Sequence, residues 1–304
     1  MSGQGAGGHP RVALEFFLPP EDLRPFLSTF YSMRVTGSRN EPVRDRLHPE
    51  WTNLRYIPQG KCMASVGEDE PGPTPRLSLT GPTSRNTRFE ALPSHSWGIG
   101  ILPLGLARLT PLSASQLADR ISDPFEIEEL AGLRRLEPLM AEEGAQPAQQ
   151  VERMAGVMRN LLATPSRRED AIVRVQAALV DPQTHSVAEL ADSASMSTRT
   201  LERFCRDAFG FSPQLLLRRQ RFLRSLAQFM LDPSMKWLET LDQHYTDQAH
   251  FVRDFRFFMT MTPSEYAALD HPVLSAAARA RMEAAGDAMQ VLQRPAAPSG
   301  RKKA

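Results

Sequence analysis

The side chains best suited to chemistry in this 304-residue sequence are arginines that recur at helical spacing. Arg199, Arg203 and Arg206 follow one another at i, i+4 and i+7, so a helix would place them on one side, together with Glu202. Arginine carries a planar fork of donors that can meet O6 and N7 of guanine together. The segment therefore predicts a polar helix face that contacts base edges in DNA.

The same pattern returns 50 positions further along the chain. Residues 200–213, TLERFCRDAFGFSP, align with residues 250–263, HFVRDFRFFMTMTP, and Arg203 then falls on Arg253. One amphipathic helix with arginines is usually only a solvated surface, but two copies matched arginine for arginine favour a function. The second polar face consists of Gln248, Ala249, Val252, Arg253 and Arg256.

Apolar residues occupy the other side of each predicted helix and should anchor it in a core. In the second helix these are aromatic, since Phe251, Phe255 and Phe258 follow one another at i, i+4 and i+7. A short amphipathic segment precedes each copy, at residues 187–194 and 237–245. Each unit thus predicts a helix-turn-helix, the motif that lays its second helix in the major groove.

The segment between the two units predicts one rigid helix over residues 212–231. At 1.5 Å per residue it spans roughly 27 Å, close to the ~34 Å between successive major grooves on one side of a duplex. Seven arginines lie from Arg199 to Arg224 against two acidic residues, although the whole chain carries only +1. Arginines of this helix are therefore predicted to meet DNA phosphates, namely Arg218, Arg219, Arg221 and Arg224.

Residues 170–270 resemble the DNA-binding domain of the AraC/XylS family of bacterial transcription regulators. The stretches VAELADSASMSTRTLERFCRDAFGFSPQLLLRRQRF and DQAHFVRDFRFFMTMTPSEY carry the resemblance. It implies two helix-turn-helix units that read promoter DNA in tandem. By position it assigns recognition to Arg199, Glu202 and Arg203 in the first unit and to Gln248, Ala249, Val252 and Arg253 in the second. The second unit departs from the family at His244-Tyr245 and at Thr260, where a glycine is usual.

The first part of the chain predicts a small β-rich domain, because short apolar runs alternate there with Pro and Gly turn signals. Residues 20–33 interrupt it with helical spacing and predict a helix. The domain resembles the cupin-like sensor domain of some AraC-like regulators, which implies effector binding or dimerisation. Trp51 and Trp97 lie in its apolar segments and fit a core position, with a pocket lining as the alternative.

Catalytic readings of the first domain find little support. His48, His95, Glu50, Glu90 and Cys62 are its reactive candidates, but no nucleophile, zinc or phosphate-loop motif surrounds them. Some DNA-repair methyl acceptors carry an AraC-type reader, yet they need a Pro-Cys-His-Arg context, and Cys62 stands in Lys-Cys-Met. A regulator that acts through protein contacts, with weakened DNA binding, is the other alternative.

The sequence predicts an α+β chain that is not an enzyme and needs no cofactor or metal. Its only two cysteines, Cys62 and Cys205, form no pair motif, and no apolar run could span a membrane, so we expect a cytoplasmic protein. The expected partner is double-stranded promoter DNA; RNA polymerase, a second copy of the chain and an unidentified small-molecule effector are further candidates. The predicted segments are a disordered tail (1–11), a sensor or dimerisation domain (12–162), a linker (163–169), the DNA-binding domain (170–270), and an Ala-rich helix with a disordered tail (271–304).

Overall fold

Short strands fill the first 122 residues and form two antiparallel sheets. The computed structural model describes residues 11–231, 242, 245, 247–286 and 289–296. The strands are β1 (Arg11–Phe17), β2 (Leu27–Thr36), β3 (Val43–Leu47), β4 (Thr52–Tyr56), β5 (Cys62–Val66), β6 (Gly72–Pro73), β7 (Leu77–Thr80), β8 (Thr87–Ala91), β9 (Ser94–Ile101) and β10 (Ile121–Ser122). The larger sheet runs β1-β2-β9-β4-β7-β10 and the smaller β3-β8-β5-β6. The predicted β-rich domain is confirmed.

The helix predicted at residues 20–33 is wrong. A single 3-10 turn at Glu21–Leu23 is followed at once by strand β2, which pairs with β1 on one edge and β9 on the other. Leu27 and Phe30 are fully buried in that position. Pairing on both edges satisfies the backbone of this segment, and such tertiary context overrides its helical spacing.

Helices take over after the sheets, as the sequence predicts. They are α1 (Pro103–Leu109), α2 (Ala114–Leu117), α3 (Glu137–Ala141) and α4 (Pro147–Leu161), with a 3-10 helix at Glu128–Leu136. The apolar stripe of α4 packs inside the chain, since Met154 and Met158 are fully buried. That packing accounts for the stripe without a partner copy.

The C-terminal part contains the predicted helix-turn-helix region. Its helices are α5 (Glu169–Val180), α6 (Val187–Ala194), α7 (Thr198–Phe209), α8 (Pro213–Leu231), α9 (Gln248–Met259), α10 (Pro263–Ala267) and α11 (Pro272–Ala285). The predicted helix over 198–209 and the long helix after Ser212 are confirmed. The helix predicted for residues 237–245 lies largely outside the described residues. Together with the sheets, these helices confirm the predicted α+β class.

The two parts of the chain share one hydrophobic core. Trp51 of the first part packs against Phe209 at the end of α7, with ring centroids 5.7 Å apart. Phe209 is fully buried, so the helix-turn-helix region covers apolar surface of the sheet domain. Among the described residues, no helix is long and apolar enough to cross a lipid bilayer.

Candidate nucleic-acid interface

Helix α7 presents its polar face to solvent because its ends are capped and its apolar face is buried. Ser197 caps its N-terminus by accepting a hydrogen bond from the Thr200 amide at 3.2 Å. Gly210 ends it in the left-handed conformation, with φ of 88°. The buried residues are Leu201, Cys205, Ala208 and Phe209, whereas Arg199, Arg203 and Arg206 are exposed.

One member of the predicted α7 face is tied within the helix. Glu202 is partly buried and accepts a hydrogen bond from Arg206 at 2.8 Å, four positions along. That pair holds the Arg206 guanidinium against the helix surface. Arg199 and Arg203 are the predicted base-contacting arginines that keep an extended reach into solvent.

Helix α9 repeats this construction in the second unit. Asp247 caps its N-terminus by accepting from the His250 amide at 2.6 Å. The aromatic side is buried as predicted and packs on Phe222 of α8, whose ring stacks on Phe258 with centroids 4.8 Å apart. The predicted polar face points away from the core, with Gln248, Ala249, Arg253 and Arg256 exposed and Val252 partly buried.

Thr260 takes over the conformation for which the family uses glycine. Its φ is 58°, in the left-handed region, where a side chain other than glycine is normally unfavourable. The Asn86 side-chain amide reaches it from the first domain and donates to its hydroxyl at 3.3 Å. The turn after α9 therefore keeps the left-handed geometry of Gly210 after α7 despite the substitution.

Arg218, the predicted phosphate contact, is held by a carboxylate that sequence reasoning missed. Its Nε donates to Asp254 at 2.5 Å, and Asp254 is only 1% exposed. Asp254 also accepts from Arg221 at 3.3 Å and from the Tyr245 hydroxyl at 3.0 Å. The available signal was that Asp254 is the only acidic residue in α9, at a position between its exposed and buried faces.

These contacts form one wall of a polar groove of ≈ 610 Å³ between α6, α8 and α9. Arg218 and Arg253, predicted on separate grounds, both line it. The N-terminus of α6 closes the far side, and Arg224 is held there by Asp242 at 2.6 Å. The groove places several cations beside the second polar helix face, where an extended anion such as a nucleic-acid backbone fits.

The phosphate role predicted for Arg219 is wrong, because the side chain is 1% exposed. It donates to the Thr83 carbonyl at 3.0 Å, and its guanidinium lies 3.9 Å from the Trp51 ring centre. Burial lowers the pKa of Arg219 to about 9, so it remains charged at neutral pH. Arg219 joins α8 to the sheet domain; a stripe of four neighbouring arginines gave no sequence signal that one of them points inward.

The cysteines lack the surroundings of a reactive thiol. Both are buried, and burial raises the pKa of Cys62 to about 11 and that of Cys205 to about 12. A methyl acceptor needs a thiolate, which positive and partly exposed surroundings favour. The structure therefore gives the repair alternative no support at either cysteine.

A second concave site lies in the first domain, lined by residues of both sheets. Its volume is ≈ 160 Å³, and its walls are mainly apolar. One polar patch is the pair of Glu50 and Arg55, whose closest atoms are 2.5 Å apart. Trp97 lines the cavity, whereas Trp51 packs in the core shared with α7. His48 also lines it, while His95 bonds to Ser32 at 2.8 Å.

Paired helices with an exposed basic face on the second member, built twice in one chain, define a DNA-binding helix-turn-helix protein. Residues 190–268 match the family model described as a helix-turn-helix domain. This chain therefore carries a helix-turn-helix domain of the AraC type, as its sequence predicts. No curated protein is similar enough in sequence to count as a relative.

Solved structures of similar shape include two-part regulators. The apo form of ToxT from Vibrio cholerae is 12% identical, covers 86% of this chain and 97% of its own, and has a TM-score of 0.42. Wild-type ToxT bound to an unsaturated fatty acid is 12% identical, with coverages of 88% and 97% and a TM-score of 0.43. The AraC-like transcriptional activator CuxR is 10% identical, with coverages of 71% and 96% and a TM-score of 0.30. The ligands of those proteins do not carry over to this chain at such similarity.

Proposed function

We propose that this protein is a sequence-specific transcription regulator that lays α7 and α9 in two successive major grooves of promoter DNA. The observation that carries the proposal is the repeated exposure of arginines on two capped helices, Arg199 and Arg203 on α7 and Arg253 and Arg256 on α9. Helix α8 joins the two units and has 19 residues, about 28 Å at 1.5 Å per residue. That length suits two readers on one side of a duplex.

The cations of the polar groove supply the second part of the proposal. Phosphate contacts hold a protein in register on DNA, and base contacts select the sequence. Arg218, Arg221 and Arg224 lie on α8, between the two reader helices. We assign these three to the DNA backbone and the exposed residues of α7 and α9 to base edges.

Control by a small molecule is the third part of the proposal, and the cavity of the first domain supports it. Its ≈ 160 Å³ is close to the ~150 Å³ of an engineered apolar cavity that accepts benzene. A compact, mainly apolar molecule with a polar group would suit the walls and the Glu50–Arg55 pair. Dimerisation and contact with RNA polymerase in the cytoplasm complete the proposed role.

Selection of bound fragments from random DNA by the purified full chain tests the proposal. We expect enriched sequences with two conserved half-sites separated by about one helical turn, and binding that weakens steeply as salt rises. A folded chain that enriches no sequence would contradict DNA reading and favour the alternative of action through protein contacts. Enrichment of a single half-site would mean that only one of the two units reads bases.

A further inference from the structure

The segment after the helix-turn-helix match returns to the first domain and is anchored there. Helix α11 lies against β1 and β3. Asp45 of β3, 6% exposed, fixes its start by accepting from the amides of Val273 at 2.8 Å and Leu274 at 2.9 Å. Free amides at a helix start bind a carboxylate well, because the helix dipole adds to the hydrogen bonds. Residues 271–286 are thus attached to the sheet domain by a specific contact.

Gln290 fixes the far end of the same segment inside the sheet domain. It is 5% exposed and lies in a short 3-10 helix at Gln290–Leu292. Its carbonyl oxygen accepts from the Trp51 amide at 3.0 Å and from Asn53 at 3.3 Å. Its amide nitrogen donates to the Ser28 hydroxyl at 3.1 Å and to the Thr52 carbonyl at 3.4 Å. A buried amide with four partners is a specific lock, since losing it would leave several buried groups unsatisfied.

The anchored segment forms part of the wall of the cavity. Val273, Leu274, Ala277, Arg281, Met289 and Gln290 all line it, opposite residues of the two sheets. Whatever fills the cavity must therefore touch residues that come after the DNA-binding domain in the chain. The cavity is a composite of the first 97 residues and the last described ones.

The same segment touches the helix that joins the two DNA-reading units. Gln220 of α8, 1% exposed, donates to the Val291 carbonyl at 2.9 Å. Val291 is fully buried and adjoins Gln290 in sequence. Arg221 follows Gln220 in α8 and bonds to Asp254 of α9. An unbroken line of contacts therefore runs from the cavity wall through α8 to the second reader helix.

We propose that residues 271–292 couple occupancy of the cavity to the placement of α8, and through α8 to DNA affinity. The inference deepens the proposed effector control and rests on it. An occupant that presses on the wall residues shifts Gln290 and Val291, and the bond to Gln220 passes that shift to α8. Coupling of this kind needs an occupant that favours one placement of the segment over another.

A double-mutant cycle in the full chain tests the proposal without knowledge of the natural ligand. Ala64→Leu on β5 fills part of the cavity from the sheet side and stands in for an occupant. Gln220→Met removes the donor to Val291 but keeps the length of the side chain. Gln228→Met is the matched control, because Gln228 lies on the same helix and is exposed. The readouts are hydrogen exchange of the α8 amides and affinity for a selected DNA site.

We expect Ala64→Leu alone to change α8 exchange and to shift the DNA dissociation constant by about fivefold or more, the usual scale of coupling between sites. Adding Gln220→Met should reduce both effects to less than about twofold, whereas Gln228→Met should leave them intact. Additive effects of Ala64→Leu and Gln220→Met, or no effect of Ala64→Leu on α8, would overturn the coupling. Ala64→Val provides a smaller filling if the leucine variant does not fold.

Failure of the proposed DNA-reading function would look different from failure of the coupling. A wild-type chain without DNA affinity contradicts the function, but exchange of the α8 amides still decides whether the segment transmits a change in the cavity. A chain that binds DNA with the same affinity in all variants retains the function and overturns the coupling.

Discussion

At the scale of single residues, burial decides what each arginine does. Arg219 and Arg253 are both arginines of the DNA-binding part, yet one is 1% exposed against Trp51 and the other projects into solvent. Arg218 stands between them, half held by Asp254 and half open to the groove. The three positions assign a structural contact, a base contact and a phosphate contact to the same side-chain type.

Substitution of Arg253 should separate recognition from folding. Because Arg253 is exposed, Arg253→Ala should change the free energy of unfolding by less than about 0.5 kcal/mol. It should cost about 1–3 kcal/mol of binding at a selected site and relax preference at one base pair. Arg203→Ala should act likewise about one helical turn of DNA away. Thermal melts and titrations against matched and shuffled sites measure both effects.

Phe255→Ala is the matched control on the opposite face of α9. Phe255 is fully buried and its ring centre lies 5.3 Å from that of Phe222. Its removal opens a cavity and should cost about 3–5 kcal/mol of stability. Affinity should then fall for every DNA sequence alike. An unfolded Arg253→Ala variant beside an intact Phe255→Ala variant would show that the face of α9 is assigned incorrectly.

Two histidines between the domains should give the stability a maximum near pH 6.5. Burial lowers the pKa of His48 to about 3, so below pH 6.5 only the unfolded chain binds a proton there, and stability falls as pH falls. Burial also opposes protonation of His271, but hydrogen bonds to Asp45 and the Tyr266 carbonyl outweigh it and raise the pKa. The His271 contribution is therefore complete below about pH 6.5 and is lost as pH rises through the folded-state pKa.

The variant His48→Gln tests the acid side of this profile. Glutamine can keep the hydrogen bond to the Tyr266 hydroxyl, which is 2.8 Å from His48 Nε2, but it does not titrate. Between pH 6.5 and 4.5 the variant should lose about 2 kcal/mol less stability than the wild type. Denaturant melts at several pH values measure this difference. An unchanged acid slope would mean that His48 is protonated in the folded state.

At the scale of elements, the sequence predicted what repeats and what is capped. The bounds of α7, the start of α8 and the Thr262–Glu265 capping box follow from local signals, and all are present. Strand β2 was missed because its partners β1 and β9 lie far away in the sequence or carry no local signal. Asp254 was missed for the same reason, since its partners Arg218 and Arg221 are more than 30 positions away.

The joint between α8 and α9 should depend on Asp254. Asp254→Asn keeps the shape but removes the charge that holds Arg218 and Arg221. Both arginines are then free, so affinity for non-specific DNA should rise and its salt dependence should steepen by up to about one unit of slope. The ratio of specific to non-specific affinity should fall, because α9 is held less firmly against α8.

Asp192→Asn provides the control for this effect of charge. Asp192 lies exposed on α6, so its substitution removes the same charge without breaking a buried contact. Titrations with selected and random duplexes at two salt concentrations should show a smaller loss of discrimination in this variant. Equal losses in the two variants would reduce the role of Asp254 to net charge alone.

At the scale of the whole molecule, the first domain touches both reader helices near their C-terminal ends. Phe209 of α7 packs on Trp51, and the last turn of α9 bonds to Asn86. The predicted boundary at residues 163–169 follows the chain but not the packing, since Arg108 of α1 bonds to Glu169 of α5 at 2.7 Å. Local composition marks where a linker falls; it gives no information about surfaces that meet across it.

Asn86 offers the sharpest test of whether this contact sets the spacing of the readers. It is fully buried; its backbone amide donates to the Phe258 carbonyl at 2.8 Å and its side chain to the Met259 carbonyl at 2.7 Å. Asn86→Ala leaves the Met259 carbonyl without this donor and should cost about 1–3 kcal/mol of stability. The end of α9 should then exchange its amides faster.

The consequence for DNA should appear in a series of duplexes whose two half-sites are moved apart or together by one base pair. The wild type should bind one spacing best, because each base pair added also rotates the second half-site around the duplex. Asn86→Ala should bind the best spacing more weakly and its neighbours nearly as well, so the profile flattens. Asn40→Ala, at an exposed asparagine of the same domain, should keep the wild-type profile. A profile as sharp in Asn86→Ala as in the wild type would mean that α8 and Asp254 alone fix the distance between the two readers.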